Sequence, residues 1–337
     1  MLRGHLLVCG ALIGFACSGV TPRLHAETPA GRGAAPPKAQ AAAGPQITVE
    51  VIEKGNSSRA TRKEAIQSLP TKSLHPESQR VVESILDNVS LYRRLPVVRC
   101  ESDPRVIQFF TEHPDVAVAI WRVMEISEFT MKQTGPYDYQ SDSGDGSIGT
   151  VQVLYRTPEQ QLILCRGQFK SPALPKPIEA QAIMSLTTEF SRDEQGKPLA
   201  TCRADVFVSF PSATIETAAR FIAPVSHRIA DRNFEEVVTF IRMMHIAMTD
   251  QPVWVEQVAS RVDGVLSDRP GKLVDLTAKL YREQHPLPML PQHMGALPET
   301  PEDRRLPRNL QSANGSAGTP GFSPGVPGPP RSSSVMR

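Results

Sequence analysis

Several chemistries are missing from this 337-residue sequence, and each absence removes a class of function. Its central part has no Gly-x-Ser-x-Gly elbow, no glycine-rich phosphate loop and no closely spaced Cys–His set. Serine-hydrolase, nucleotide and zinc signatures are therefore absent. Charge of one sign is lacking too. Lys+Arg number 37 against 35 Asp+Glu, a net charge of +2, without the concentrated basic face of a nucleic-acid binder. Arg59, Arg62 and Lys63 form one small basic cluster and Arg304, Arg305 and Arg308 another; both read as solubilising charge. Long apolar runs are scarce. The only one, Leu6–Ala16, falls short of the ~20 residues that cross a bilayer.

That run, behind Arg3, fits the apolar region of a secretory signal. Cleavage after Leu24-His25-Ala26 gives a signal peptide of residues 1–26. Cleavage before Cys17, which follows Gly14-Phe15-Ala16, would instead make a lipoprotein, and an uncut leader would act as an anchor. The expected location is outside the cytoplasm, periplasmic or secreted. Cysteine is sparse as well. Of five, Cys9 and Cys17 belong to the leader, leaving Cys100, Cys165 and Cys202. An odd number excludes a complete disulfide framework, and each lies in a strand-like apolar stretch that suits a small buried hydrophobe.

Residues 27–75 read as a flexible linker rich in Ala, Pro, Gly and Lys, although Ile47–Val51 alternates like a strand. Residues 284–337 form a proline-rich tail with little to bury. The folded domain is then 76–283. Within it, helical spacing marks Glu77–Tyr92, and Leu95–Glu101 is a short strand. Asp103-Pro104 and Pro114-Asp115 open two further helices. From Ile126 the period becomes two: Ile126–Thr134, Tyr137–Gln140, Ser147–Arg156, Gln161–Phe169, Ile178–Ser191 and Leu199–Phe210 read as an antiparallel meander. Asp142–Gly146 suits a tight turn; its spacing does not suit calcium, because Gly144 occupies a ligand position. A helical segment from Ser212 is expected to kink at Pro224, and Asn233 with Glu236 forms a capping box opening a second helix. Two shorter helices follow, near Trp254–Val265 and Leu273–Arg282.

The fold class expected is α+β, a curved antiparallel sheet of about six strands on a long C-terminal helix with flanking helices. This order of strand, two helices, meander and long helix, over Leu95 to about Met248, resembles the helix-grip layout of the lipid-transfer and polyketide-cyclase-like superfamily that includes START domains. The helix before the first strand departs from that layout. The segments NVSLYRRLPVV (Asn88–Val98), HPDVAVAIWRV (His113–Val123) and ADRNF (Ala230–Phe234) are similar to exported bacterial proteins of unknown function.

A cavity between sheet and helix is what the resemblance implies. Its lining is expected from alternating strand positions and one helix face: Trp121, Phe129, Met131, Val153, Tyr155, Leu164, Phe207, Phe234, Val238, Ile241 and Met244, with Val151, Leu162 and Met184 as further candidates. Arg122 beside Trp121 would meet an anionic head group at the mouth. His113, His227 and His245 are too far apart to make a metal site, and no cofactor or catalytic residue is assigned. Glu125, Glu128 and Glu189 show no pairing that would support acid–base catalysis. The function expected is non-enzymatic binding or carriage of a lipid or other apolar small molecule. The alternative is a structural or interaction protein of the cell envelope with a filled core and tethering tails, its partner an envelope protein held through the proline-rich tail. An enzyme would rest on fold analogy alone.

Overall fold

The elements run β1 (Glu50–Glu53), α1 (Arg59–Gln67), a 3-10 turn (Thr71–Ser73), α2 (Pro76–Asp87), β2 (Leu91–Arg94), β3 (Val97–Glu101), α3 (Pro104–Glu112), α4 (Pro114–Val123), β4 (Thr130–Gln133), β5 (Asp138–Asp142), β6 (Ser147–Arg156), β7 (Gln160–Phe169), β8 (Ile178–Arg192), β9 (Pro198–Ser209), α5 (Ala213–Asp250), α6 (Pro252–Arg261) and α7 (Arg269–Gln284). They come from a computed structural model that describes residues 47, 49–144, 146–170, 177–211 and 213–286. All of these fall in one compact unit, Met1–Leu287. The expected signal peptide, the part of the expected linker before residue 47 and the expected tail from residue 287 lie outside the described residues.

Local chemistry sets the helix starts. The Ser58 hydroxyl accepts from the Thr61 amide at 3.2 Å to cap α1, and the Asp103 carboxylate accepts from the Arg105 amide at 2.9 Å to cap α3. Pro104 and Pro114 occupy first turns, where a missing N–H costs nothing. Gly196, at φ 81°, turns β8 into β9.

The sheet is nine-stranded and antiparallel, ordered β1-β3-β9-β8-β7-β6-β5-β4, with β2 also on β9. Its spine is β9, paired along one edge with β8 and along the other with β2 and β3 in succession. Leu95-Pro96 breaks β2 from β3, and the Leu95 amide still donates to the Ala204 carbonyl at 2.8 Å.

Both faces of the sheet are covered. On one, α1, α2 and the segment between them bury Ala65, Leu69, Val82 and Ile85 against Tyr92, Leu162, Leu164, Ile183 and Phe207. On the other, Ile163, Cys165, Ala182, Ala204, Val206 and Val208 look toward Ala230 and Phe234 of α5. A third cluster joins α3, α4, α6 and α7 around Phe240, Ile241, Met244 and Met248. No described helix is long and apolar enough to cross a membrane.

Four expectations are corrected. The stretch up to residue 75, read as linker, carries β1, α1 and the 3-10 turn, because its few apolar residues cover a sheet face that the sequence pattern does not reveal. The helix expected over Glu77–Tyr92 stops at Asp87, and Leu91–Arg94 form β2. The sheet has nine strands among the described residues, not about six. Lastly, α5 runs unbroken through Pro224 and Asn233. Asn233 therefore caps nothing; burial of the face on either side of it outweighs a capping signal worth about 1 kcal/mol.

Charged groups inside the unit are paired. Asp205, on β9, accepts from Tyr92 Oη at 2.7 Å and from Arg94 Nε at 2.9 Å, and Arg94 also reaches Glu64 of α1 at 3.2 Å. Burial first, and the bond to Asp205 second, push the Tyr92 phenol upward. Arg93 pairs with Asp231 and so ties β2 to α5. Arg269, at the start of α7, pairs with the fully buried Asp115 of α4 and donates to Gln133 of β4. Burial raises the Asp115 carboxyl above its ordinary range, while Arg269 pulls it back.

Two outcomes are expected. Asp115→Ala strands the Arg269 guanidinium and should cost about 3–5 kcal/mol in urea unfolding; Asp115→Leu with Arg269→Met should recover most of it. Unfolding midpoints that barely differ between Asp115→Ala and the parent would show that the pair does not hold α7. The second outcome concerns acid. Burial, then Arg269 and Lys272, lower His113 from 6.5 to about 4. The unfolded chain takes up this proton near pH 6.5 and the folded chain only near 4, so acidification across that window favours unfolding. His113→Gln should flatten the fall in stability between those pH values, measured by urea titration at each pH; an unchanged slope would assign the acid sensitivity elsewhere.

Candidate functional site

Between α5 and the sheet lies an interior cavity of about 160 Å³. Its origin is a wedge. The backbone of α5 comes closest to β2 and β3, where small residues such as Ala204 sit beneath it. Farther along the sheet, Val151, Val153, Ile163, Cys165, Met184 and Leu186 form the floor, and Ile107, Phe110, Ala117 and Trp121 of α3 and α4 close the end. Along the roof, α5 contributes positions from Ser226 to Ile241, roughly 22 Å of helix at about 1.5 Å per residue. The space is therefore long and narrow.

Polar groups in the lining are few, and nearly all are spoken for. Gln161 Nε2 donates to the Thr111 carbonyl at 3.4 Å, Thr111 Oγ1 to the Ile107 carbonyl at 2.9 Å, and Tyr139 Oη to the Glu112 carbonyl at 3.2 Å. Thr188 Oγ1 lies 3.9 Å from Cys202 Sγ, and Asn233 is also engaged. Ser226 differs: it is 4% exposed, and its hydroxyl has no hydrogen-bond partner among the described residues. Among the described residues, no Asp, Glu, Lys, Arg or His appears in the lining.

Of the lining expected from sequence, Trp121, Met131, Val153, Phe234, Val238 and Ile241 do border the cavity, as do Val151 and Met184. The other six do not. Leu164 and Phe207 pack on the opposite face under α1 and α2, as does Leu162, because β7 and β9 are apolar on both sides and alternation cannot choose between them. Tyr155 joins that opposite face after a register shift between Val153 and Tyr155, a bulge that flips the side-chain alternation. Phe129 and Met244 belong to the helical cluster, since α6 and α7 close over α5 beyond Ile241. Arg122 faces solvent and pairs with Asp263 at 3.0 Å; it is not at the cavity.

Ser226, Ile229 and Ala230 were missed. They precede Asn233, which read as a helix start, so the amino-terminal half of α5 was never placed over the sheet. Leu95, Ile107, Phe110, Thr111, Tyr139 and Gln161 also line the space; periodicity marks some of them as buried but gives no sign that one cavity gathers them.

The three cysteines lie on or beside this floor. β3 and β9 pair antiparallel, with Cys100 opposite Ala200 and Cys202 opposite Val98, so the two sit diagonally and share an apolar cluster with Val238. All three thiols are free. Burial pushes Cys100 up to about 12, Cys165 to about 12 and Cys202 to about 11.

No family model matches this chain, and no curated protein does. Solved structures offer slight likenesses. A conserved protein from Geobacillus kaustophilus aligns at 12% identity and a TM-score of 0.33, covering 44% of this chain and 94% of that one. An uncharacterized protein from Rhizobium leguminosarum aligns at 12% identity and a TM-score of 0.25, covering 43% of this chain and 95% of that one. Likenesses this small carry no argument about fold or function.

Because only a thiolate alkylates readily, Cys100, Cys165 and Cys202 should stay unmodified when native protein meets iodoacetamide at pH 8, and react fully in 6 M guanidinium without reductant. Peptide mass mapping reads each site. Rapid labelling of Cys165 or Cys202 in the native state would mean that the cavity floor opens to water.

Proposed function

We propose that the protein binds a lipid or other apolar small molecule in this interior cavity, outside the cytoplasm, without transforming it. The observation that carries the reading is an apolar space under α5 with no ionisable side chain among the described residues of its wall and one hydroxyl, that of Ser226, without a hydrogen-bond partner among them. Such a space is costly when empty. At ~24 cal/mol per Å³, 160 Å³ corresponds to on the order of 4 kcal/mol, a large part of the ~5–15 kcal/mol that keeps a domain folded. An occupant returns that stabilisation through dispersion and apolar burial. An α+β domain with one long helix laid across an antiparallel sheet also agrees with the helix-grip layout and its START-like relatives, in which the ligand space lies between those two layers.

Size bounds the ligand. Small-molecule sites usually measure ~300–1,000 Å³, so an interior of 160 Å³ accommodates one chain or a compact ring system, not a two-chain lipid.

N-phenyl-1-naphthylamine, an uncharged probe that brightens in apolar surroundings, should bind saturably with about one site per chain and raise the melting temperature. Ala230→Phe projects a ring into the space; it should abolish probe fluorescence while the far-ultraviolet circular dichroism stays unchanged. Absent binding in the parent, or binding indifferent to Ala230→Phe, would overturn the reading.

A further inference from the structure

The cavity does not end at its aromatic wall. Trp121 and Phe240 meet edge to face, ring centroids 5.4 Å apart, and both line the interior on one side and a surface groove of about 230 Å³ on the other. Val237 is likewise shared. The groove is apolar and open, with Ile126 39% and Ile47 48% exposed on it. Ile126 follows Glu125, which is held at φ 58°, a conformation costly for a residue with a side chain. Two ring side chains, together with Val237 and Asn233, thus form the wall between the two apolar spaces. Interior and groove together reach the lower part of the ~300–1,000 Å³ range of small-molecule sites, which the interior alone does not.

Charge selects the ligand. With no cation among the described residues of the interior wall, a buried carboxylate or phosphate would lose its hydration without compensation. Among the described residues that line the groove the one ionisable group is Glu236, whose carboxylate is paired with Arg232 at 2.7 Å, so no lining cation is there to take an anion. Ser226, near the far end of the roof, offers one neutral hydrogen bond.

Building on the binding reading above, we propose that the Trp121–Phe240 pair is the gate of the cavity, and that the site takes an uncharged single-chain amphiphile. The polar end of that molecule meets Ser226, and its tail passes the gate into the groove. Long-chain alcohols, aldehydes and ketones have this chemistry; fatty acids and phospholipids do not.

The test uses the full chain carrying Trp254→Phe, which leaves Trp121 as the sole tryptophan reporter of the two. A bromine at the end of a ten-carbon chain quenches tryptophan on contact. Stopped-flow quenching by 10-bromodecan-1-ol should be saturable, and 10-bromodecanoate should bind at least ten-fold more weakly at pH 8. Ser226→Ala should weaken the alcohol about five-fold while leaving 1-bromodecane unchanged. Phe240→Leu should speed uptake several-fold, and Ile126→Glu, at an exposed position that leaves the core intact, should slow it. Equal affinity for alcohol and carboxylate would overturn the uncharged class. Uptake rates indifferent to both Phe240→Leu and Ile126→Glu would overturn the gate. No quenching by any chain, with N-phenyl-1-naphthylamine still bound, would overturn the single-chain ligand and leave the cavity reading standing. Loss of that probe as well would remove the cavity reading itself.

Discussion

A sheet that is apolar on both faces has to be covered twice, and this constraint organises the molecule. β9 shows it most plainly. Ala204, Val206 and Val208 look toward α5, whereas Phe207 looks toward α1 and α2. Asp205 lies on that second face, where burial of a lone carboxylate would cost several kcal/mol. Tyr92 and Arg94, both on β2, supply the donors that make its burial tolerable. The same pairing fixes β2 against β9, so the sheet, its outer cover and its internal charge are one arrangement. Without α1, which falls among the residues up to 75 that read as linker, part of the face that holds Leu162, Leu164 and Phe207 would lose its cover and only α2 would remain over it.

The inner cover is less complete than the outer one. A straight helix cannot follow a twisted sheet across its whole width, so contact near β2 and β3 implies separation over β6 to β8. Protein interiors normally fill such gaps with side chains. Here the roof before Phe234 consists of Ser226, Ile229, Ala230 and Asn233, of which only Ile229 is a large apolar side chain. The cavity is thus a product of helix geometry combined with small residues on one stretch of α5. α6 and α7 cover the opposite end of the same helix, and there Met244 and Met248 are fully buried.

How much of this was legible in the sequence depends on whether a segment has one buried face or two. β6, which alternates, could be read to its true ends, Ser147 and Arg156, and Val151 and Val153 were correctly placed toward α5. In β7 the run Leu162-Ile163-Leu164-Cys165 is apolar throughout, so the strand was legible and its inward face was not. Tyr155 fell to a bulge, which depends on tertiary pairing and leaves no local mark. The α5 face Phe234, Val238 and Ile241 was clear from helical spacing. Ser226 was not, because the Pro224 and Asn233 signals are local, whereas the helix continues for the sake of burial on either side of them. Arg122 shows the opposite error: an arginine next to tryptophan looked functional, yet successive residues on a helix point about 100° apart, and only Trp121 turns inward.

An open sheet, unlike a barrel, ends in border strands, here β1 and β4, whose outer edges pair with no other strand among the described residues, and such edges invite pairing with other chains. At one end stands β1, only Glu50-Val51-Ile52-Glu53, with a carboxylate at each end and a register irregularity against β3. At the other stands β4, also four residues long, carrying Lys132, with Gln133 drawn toward Arg269. Short length, charge and a distorted register are what keep an edge from templating growth. The strands between them can be strongly β-forming and hydrophobic because neither border is long enough to seed an amyloid-like stack. Lengthening β1 by a few uncharged β-branched residues would leave the core untouched and still give the sheet a border on which a second copy could add its own strand.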